Sequence, residues 1–156
     1  MSEYQRESRL QRALREAPLP PEQAYDYILI DSPPNLGILN VNALTAADHV
    51  LMPIKTEYLV VRGAELFFQS LEEIRSFLNP SITESLLLTM SDRRNKLSQD
   101  VEEELRRLFG EKVHRAVIPR SVRAAESPIQ GESILTYDTK SPVAEAYRHL
   151  AEEIDV

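Results

Sequence analysis

Hydrophobic and polar positions alternate along the chain in two distinct rhythms. Residues 2–17 carry Leu10, Ala13, Leu14 and Ala17 at i, i+3, i+4 and i+7, which predicts an amphipathic helix ended by the proline-rich APLPPEQ. Tyr25–Asp31 (YDYILID) is a short apolar run closing on an acid and predicts a strand, followed by the stiff loop SPPNLG. A helix over 37–47 uses Leu39, Leu44 and Ala47, and His49–Ile54 predicts a second strand. Residues 62–78 form the clearest helix, with Leu66, Phe67, Leu71, Ile74 and Leu78 on one stripe and Asn79-Pro80 as its stop. Ser85–Met90 reads as a third strand, 98–109 as a helix with Val101, Leu105 and Leu108 facing inward, and Val113–Ile118 as a fourth strand. Ser141-Pro142 starts a last helix, with serine as N-cap and proline in the first turn. Its apolar face is Val143, Tyr147, Leu150 and Ile154.

Continuous apolar strands alternating with helices predict an α/β fold with a parallel sheet covered on both faces. In such sheets ligands bind beyond the carboxyl ends of the strands. Chemistry is therefore expected at Asp31-Ser32-Pro33-Pro34, Lys55-Thr56-Glu57, Ser91-Asp92-Arg93-Arg94 and Pro119-Arg120.

The chain has 156 residues, 42% hydrophobic and 28% charged, which predicts one domain over 1–156 with an ordinary core. It has no cysteine, which excludes disulfides and thiolate chemistry, and its three histidines share no ligand spacing. No apolar run reaches the length of a membrane span, and the N-terminus lacks the apolar stretch of a signal peptide, so a cytoplasmic, membrane-free protein is expected. Net charge is −7, which argues against a generic nucleic-acid binder. Charge is uneven, however: Asp92 to Arg123 holds nine basic and six acidic residues, so this segment is +3 and the remainder −10. By itself that pattern fits a solvated helix and its neighbours as well as a polyanion surface.

The run YILID has the form of a Walker B element, whose aspartate holds Mg²⁺ beside nucleotide phosphates, usually through water. Taken alone, an aspartate ending a buried strand is more often only a turn former or helix cap. The longer string YDYILIDSPPNLGILNVNALTAADHVLMPIKTEY, followed by LLLTMSDRRNKLSQDVEEELRRLFGEKV and VIPRSVRAAESPIQGESILTYDTKSPVAEAYRHLAEEI, resembles the ParA/Soj family of partition ATPases, relatives of MinD. RESRLQRAL resembles the family's helix before Walker B.

That resemblance implies a three-layer, parallel-sheet P-loop NTPase fold, incomplete at its N-terminus. It implies ATP and Mg²⁺ as cofactors of the complete protein, ATP-driven dimerisation, non-specific DNA binding and a ParB-like stimulating partner, hence nucleoid association. Asp31 matches the Walker B aspartate, with catalytic and metal roles, and Ser32, Pro33, Pro34 and Asn35 match switch II. Met90 and Asp92, with Pro119 and Arg120, match the segments lining the adenine pocket. Arg94 and Arg123 match DNA-contacting basic positions, and Glu57-Tyr58 lie in the stretch near the dimer face.

Departures accompany the matches. The four glycines, Gly37, Gly63, Gly110 and Gly131, form no Gly-rich loop before a Lys-Thr pair, so the phosphate cradle is missing and this chain alone is expected to be inactive. Gln130 and Glu132 stand where histidine and lysine are common in the family, which weakens the DNA inference. The resemblance also implies that the strand leading into the P-loop is absent, which would leave Tyr27–Ile30 with an open flank. The chain would then self-associate, accept a strand from a P-loop-bearing chain, or close its sheet. The alternatives are a non-catalytic module that pairs with a full-length ParA-like protein or with DNA, and a receiver domain with Asp31 as phospho-acceptor. A receiver requires an acidic pair after an earlier strand, which residues 1–24 do not supply.

Overall fold

The computed structural model describes residues 4–17, 25–33, 37–57 and 60–154. In chain order the elements are α1 (Tyr4–Glu7), α2 (Arg9–Glu16), α3 (Ile38–Ala46), β1 (His49–Lys55), α4 (Val60–Phe77), β2 (Thr83–Ser91), α5 (Lys96–Phe109), β3 (Val113–Pro119), α6 (Val122–Glu126), α7 (Ile134–Tyr137) and α8 (Pro142–Ile154). The strands form one sheet in the order β1-β2-β3, with β2 and β3 parallel. Two compact units divide the chain: residues 1–50 with 66–83, and residues 51–65 with 84–156.

The first unit is knitted by side-chain amides. Asn42 Nδ2 donates to the carbonyls of Arg6 (2.7 Å) and Ile38 (2.9 Å), and its Oδ1 accepts from the Leu10 amide at 3.2 Å. Asn79 is buried and donates to the carbonyls of Leu44 (3.0 Å) and Ala47 (2.7 Å), closing the C-terminal end of α3 where backbone acceptors lack helical partners. Leu71, Ile74 and Ile82 of the same unit are buried.

In the second unit Leu87, Ala116, Ile118, Ile134, Val143 and Leu150 form one core cluster, so α8 and α7 cover the sheet face that carries Leu87 and Ile118. Burying a leucine of this kind contributes about 1.5–3 kcal/mol. On α5, Ser98, Val101 and Leu105 are buried at i, i+3 and i+7. Ser141 caps α8 as expected, its Oγ accepting from the Ala144 amide at 3.3 Å.

Four expectations change. Tyr25–Asp31 forms no strand: the segment is irregular, and Tyr25, Tyr27, Ile28 and Leu29 are exposed, Leu29 by 94%. The apolar pattern describes residues suited to a pleated, half-buried surface, and only a neighbouring strand makes such a surface. The sheet therefore consists of β1, β2 and β3, and the expected open flank on a strand at Tyr27–Ile30 does not arise. The N-terminal helix breaks at Ser8 (φ −108°, ψ 13°). On α4 the buried stripe is Ala64, Leu71 and Ile74, while Leu66 is exposed rather than core. On the inward faces of α5 and α8, Leu108, Tyr147 and Ile154 are exposed at the margins.

Candidate functional site

Three strand ends and the first turns of α5 converge within the second unit. Beyond β1, Thr56 is buried, and its Oγ1 shares a hydrogen bond of 2.5 Å with Ser98 Oγ on α5. Ser98 Oγ also accepts from the Asp92 amide at 3.2 Å, just beyond β2. At the end of β3 the Arg120 amide donates to the Ser91 carbonyl at 3.0 Å. Two buried hydroxyls and one backbone bond thus pin the loop that begins at Asp92.

The loop is stiffened internally. Asp92 Oδ1 accepts from the Arg94 amide at 3.0 Å, an Asx turn, and the Asp92 carbonyl accepts from the Asn95 amide at 3.0 Å. Asn95 caps α5 through the Leu97 amide at 3.0 Å, and Gln99 Nε2 donates to the Arg93 carbonyl at 2.6 Å.

Met90 has φ +51°, a left-handed conformation uncommon for a residue with an unbranched side chain and costly without support. Between the pairs Leu88↔Val117 and Ser91↔Pro119, β2 advances three residues while β3 advances two. The extra residue is a bulge, and bulges re-aim side chains beside sites. Met90 is accordingly exposed, although it lies in a strand.

Met90, Asp92, Pro119 and Arg120 are therefore brought to one corner. Asp31, Ser32 and Pro33 belong to the first unit, in exposed irregular backbone, with Asn40 Nδ2 donating to the Pro33 carbonyl at 2.8 Å. Pro34, Asn35 and Tyr58 lie outside the described residues, and Glu57 is exposed. Among the described residues no group of three or more His, Asp or Glu is placed to hold a metal ion. Thr56 lies in the strand-end stretch Lys55-Thr56-Glu57 where chemistry is expected from the sequence, whereas Ser98 is an addition that no charge pattern or motif signalled. Ser98 was visible only as a polar residue on the apolar face of α5.

The basic segment is heavily paired. Lys96 meets Asp100 (2.9 Å), Arg106 meets Glu102 (3.1 Å), Arg107 meets Glu104 (2.6 Å) and Lys112 meets Glu84 (2.5 Å). Arg123 bonds Asp138 at 3.2 Å and lies 4.6 Å from the centre of the Tyr137 ring. The Asp138 hydrogen bond, followed by Tyr137, holds its guanidinium above the usual arginine range. Arg94 presents an exposed side chain at the stiffened loop. No helix among the described residues is long and apolar enough to cross a membrane.

The model of an AAA domain family matches residues 1–84. The Thermus thermophilus chromosome-partitioning ATPase Soj is 47% identical over 143 residues, covering 91% of this chain and 57% of that protein. The Bacillus subtilis sporulation initiation inhibitor protein Soj is 43% identical over 150 residues, covering 96% and 58%. The Caulobacter vibrioides chromosome partitioning protein ParA is 45% identical over 131 residues, covering 83% and 49%. The chain thus spans about half the length of these relatives. Among solved structures, a Mycobacterium smegmatis cobyrinic acid a,c-diamide synthase with bound ATP analog and magnesium aligns with TM-score 0.77 and 31% identity, covering 96% of this chain and 53% of that one. A Borrelia burgdorferi plasmid partition protein aligns with TM-score 0.70 at 21% identity, covering 96% and 53%, a likeness of fold.

Proposed function

The chain belongs to the AAA domain family and, within it, to the ParA/Soj partition ATPases with their P-loop NTPase fold, and from that premise we propose that it supplies the base-side, Walker B and DNA-facing portion of an ATP-driven DNA-partitioning protein. One observation carries the reading. Met90, Asp92, Pro119 and Arg120 share one corner at the carboxyl ends of β2 and β3, where parallel α/β sheets bind ligands. The strained Met90 backbone, the Asp92 amide bonded to Ser98 and the Ser91 carbonyl bonded to the Arg120 amide make that corner pre-shaped.

In the complete protein the corner takes the adenine. Pro119 and Met90 offer apolar surface, and the loop backbone offers hydrogen bonds. Asp31 provides one carboxylate for Mg²⁺, which readily keeps waters and uses one or two carboxylates plus phosphate oxygens. Mg²⁺ supplies charge neutralisation at the phosphates. Ser32 to Asn35 act as switch II. Arg94 and Arg123 meet DNA phosphates without reading sequence. A homodimer and a ParB-like stimulating partner complete the cycle, at the nucleoid.

The experiment joins this chain in frame behind the P-loop-bearing portion of the Bacillus subtilis Soj and measures ATP turnover. Turnover that Asp31→Ala abolishes supports the reading. A folded chimera that neither binds nor hydrolyses ATP rejects it. A second reading, a non-catalytic module that docks onto a P-loop-bearing chain, is favoured by the exposed Ile28 and Leu29.

A further inference from the structure

A cluster of titratable side chains lies at the other end of the strands from the candidate site. His114 on β3 is largely buried, with a side chain 12% exposed. Its Nδ1 lies 3.0 Å from Glu153 Oε2 on α8, and its Nε2 lies 2.8 Å from Ser85 Oγ on β2. A carboxylate only accepts, so Nδ1 carries a proton. In the neutral ring Nε2 then accepts from the Ser85 hydroxyl.

Glu153 also binds backbone. Its Oε2 accepts from the Arg115 amide at 2.9 Å and its Oε1 from the Ala116 amide at 2.6 Å. Consecutive amides of a regular strand point to opposite sides and could not both reach one carboxylate. The register explains the exception. From Leu86↔Val113 to Leu88↔Val117, β2 advances two residues while β3 advances four. The surplus lies at residues 114–116, and Glu153 takes the amides that this bulge frees from the ladder.

We infer that Glu153, with His114 and Ser85, is a clamp on the β3 bulge that sets the register in which β3 delivers Pro119 and Arg120 to the candidate site, coupling the seating of α8 to the shape of that corner. Glu153 and His114 are positioning residues in this scheme. The Arg120 amide bond to Ser91 is the far end of the same strand pair, so slippage at the bulge is felt there. The value of the clamp to nucleotide binding rests on the function proposed above, whereas the clamp itself does not.

The charged groups around the cluster are Glu84 on β2, paired with Lys112; Arg106 on α5, bonded to the His114 carbonyl at 3.1 Å and to Glu102; Arg115 on β3; and the His149–Glu152 pair on α8. Partial burial opposes the Glu153 charge. The amides of Arg115 and Ala116 and the His114 ring outweigh it and hold the carboxyl below its usual range.

The test is an amide NMR titration of the whole chain without nucleotide, so that failure of the nucleotide reading leaves it intact. Acidification is expected to move the Arg115, Ala116 and Arg120 amide protons with one shared midpoint. Glu153→Gln is expected to abolish all three movements. Asp92→Asn, which removes the carboxylate that directly follows Ser91, the acceptor of the Arg120 amide, is expected to leave the shared midpoint. Should Glu153→Gln fail to fold, the Asp92→Asn titration still decides. An Arg120 amide that does not titrate with the bulge, or that titrates unchanged in Glu153→Gln, overturns the inference.

Discussion

The amide of Arg120 donates to the carbonyl of Ser91 across 3.0 Å, joining the ends of β3 and β2 one residue before the Asp92 loop. That bond, with Ser98 beneath Asp92, makes the corner a rigid feature of the sheet rather than a property of a loose connection.

Ser98→Ala removes a buried acceptor from the Asp92 amide and leaves the Thr56 hydroxyl without its partner. The expected loss of stability is about 1–3 kcal/mol. Because Thr56 and Ser98 share one bond, Thr56→Ala and Ser98→Ala combined should cost less than the sum of the two. Urea unfolding of the three variants checks this, and strict additivity would mean that the hydroxyls act independently.

Calorimetric titration of the unmodified chain with ATP and Mg²⁺ is expected to show no micromolar binding. Phosphate contacts carry much of the affinity in such sites, and no Gly-rich loop is present in this sequence to make them. A micromolar dissociation constant would reveal a phosphate site elsewhere in the chain.

DNA binding is expected to be weak and independent of sequence. The Arg123 guanidinium is engaged by Asp138 and Tyr137, whereas that of Arg94 is exposed. Arg94→Gln should therefore flatten the plot of log affinity against log salt more than Arg123→Gln, by up to about 0.9 of a unit for one phosphate contact. Equal slopes in parent and double variant would remove both arginines from the DNA face.

Glu153 sits below its usual carboxyl range in the folded chain. A depressed carboxyl contributes stability that is complete above its unfolded value, about 4.3, and is lost as pH falls through the lower folded value. The urea midpoint should consequently drop on acidification through that window, and Glu153→Gln should flatten the drop. A parent and variant with parallel pH curves would show that the carboxylate contributes nothing to stability.

Leu29 is 94% exposed and Ile28 55%, within a segment of strand-forming residues. Such segments recruit other strands. Light scattering across a dilution series should show concentration-dependent self-association of the parent, which Leu29→Lys weakens. A parent that stays monomeric throughout would mean that the segment does not recruit a second copy.

Much of the molecule was legible in the sequence because its signals are local. The helix of Val101 and Leu105 and the strands through Leu87 and Ile118 carry their own periodicity, and the Ser141-Pro142 cap is a two-residue device. Short α6 and α7, of five and four residues, span little more than one helical turn, too few positions to show a recurring apolar stripe, and left no trace. Met90 and Arg120 were legible as strand ends, but the left-handed turn at Met90 was not, because it follows from the mismatch in residue count between two strands distant in sequence.

The sequence by itself determined the longer helices, the carboxyl ends of β1, β2 and β3 to within one residue, and the family to which the chain belongs. Tertiary structure alone decided the fate of YILID, the same pattern as a buried strand, because a strand exists only where a partner offers its backbone. It also decided that Lys112 and Arg123 meet Glu84 and Asp138, acids outside the +3 segment, so that this segment is partly neutralised. It placed Glu153 on the amides of residues 115 and 116, a contact spanning 38 positions that no local pattern encodes. Hydrophobic period is a property of neighbours along the chain, whereas pairing of amides and charges is a property of neighbours in space.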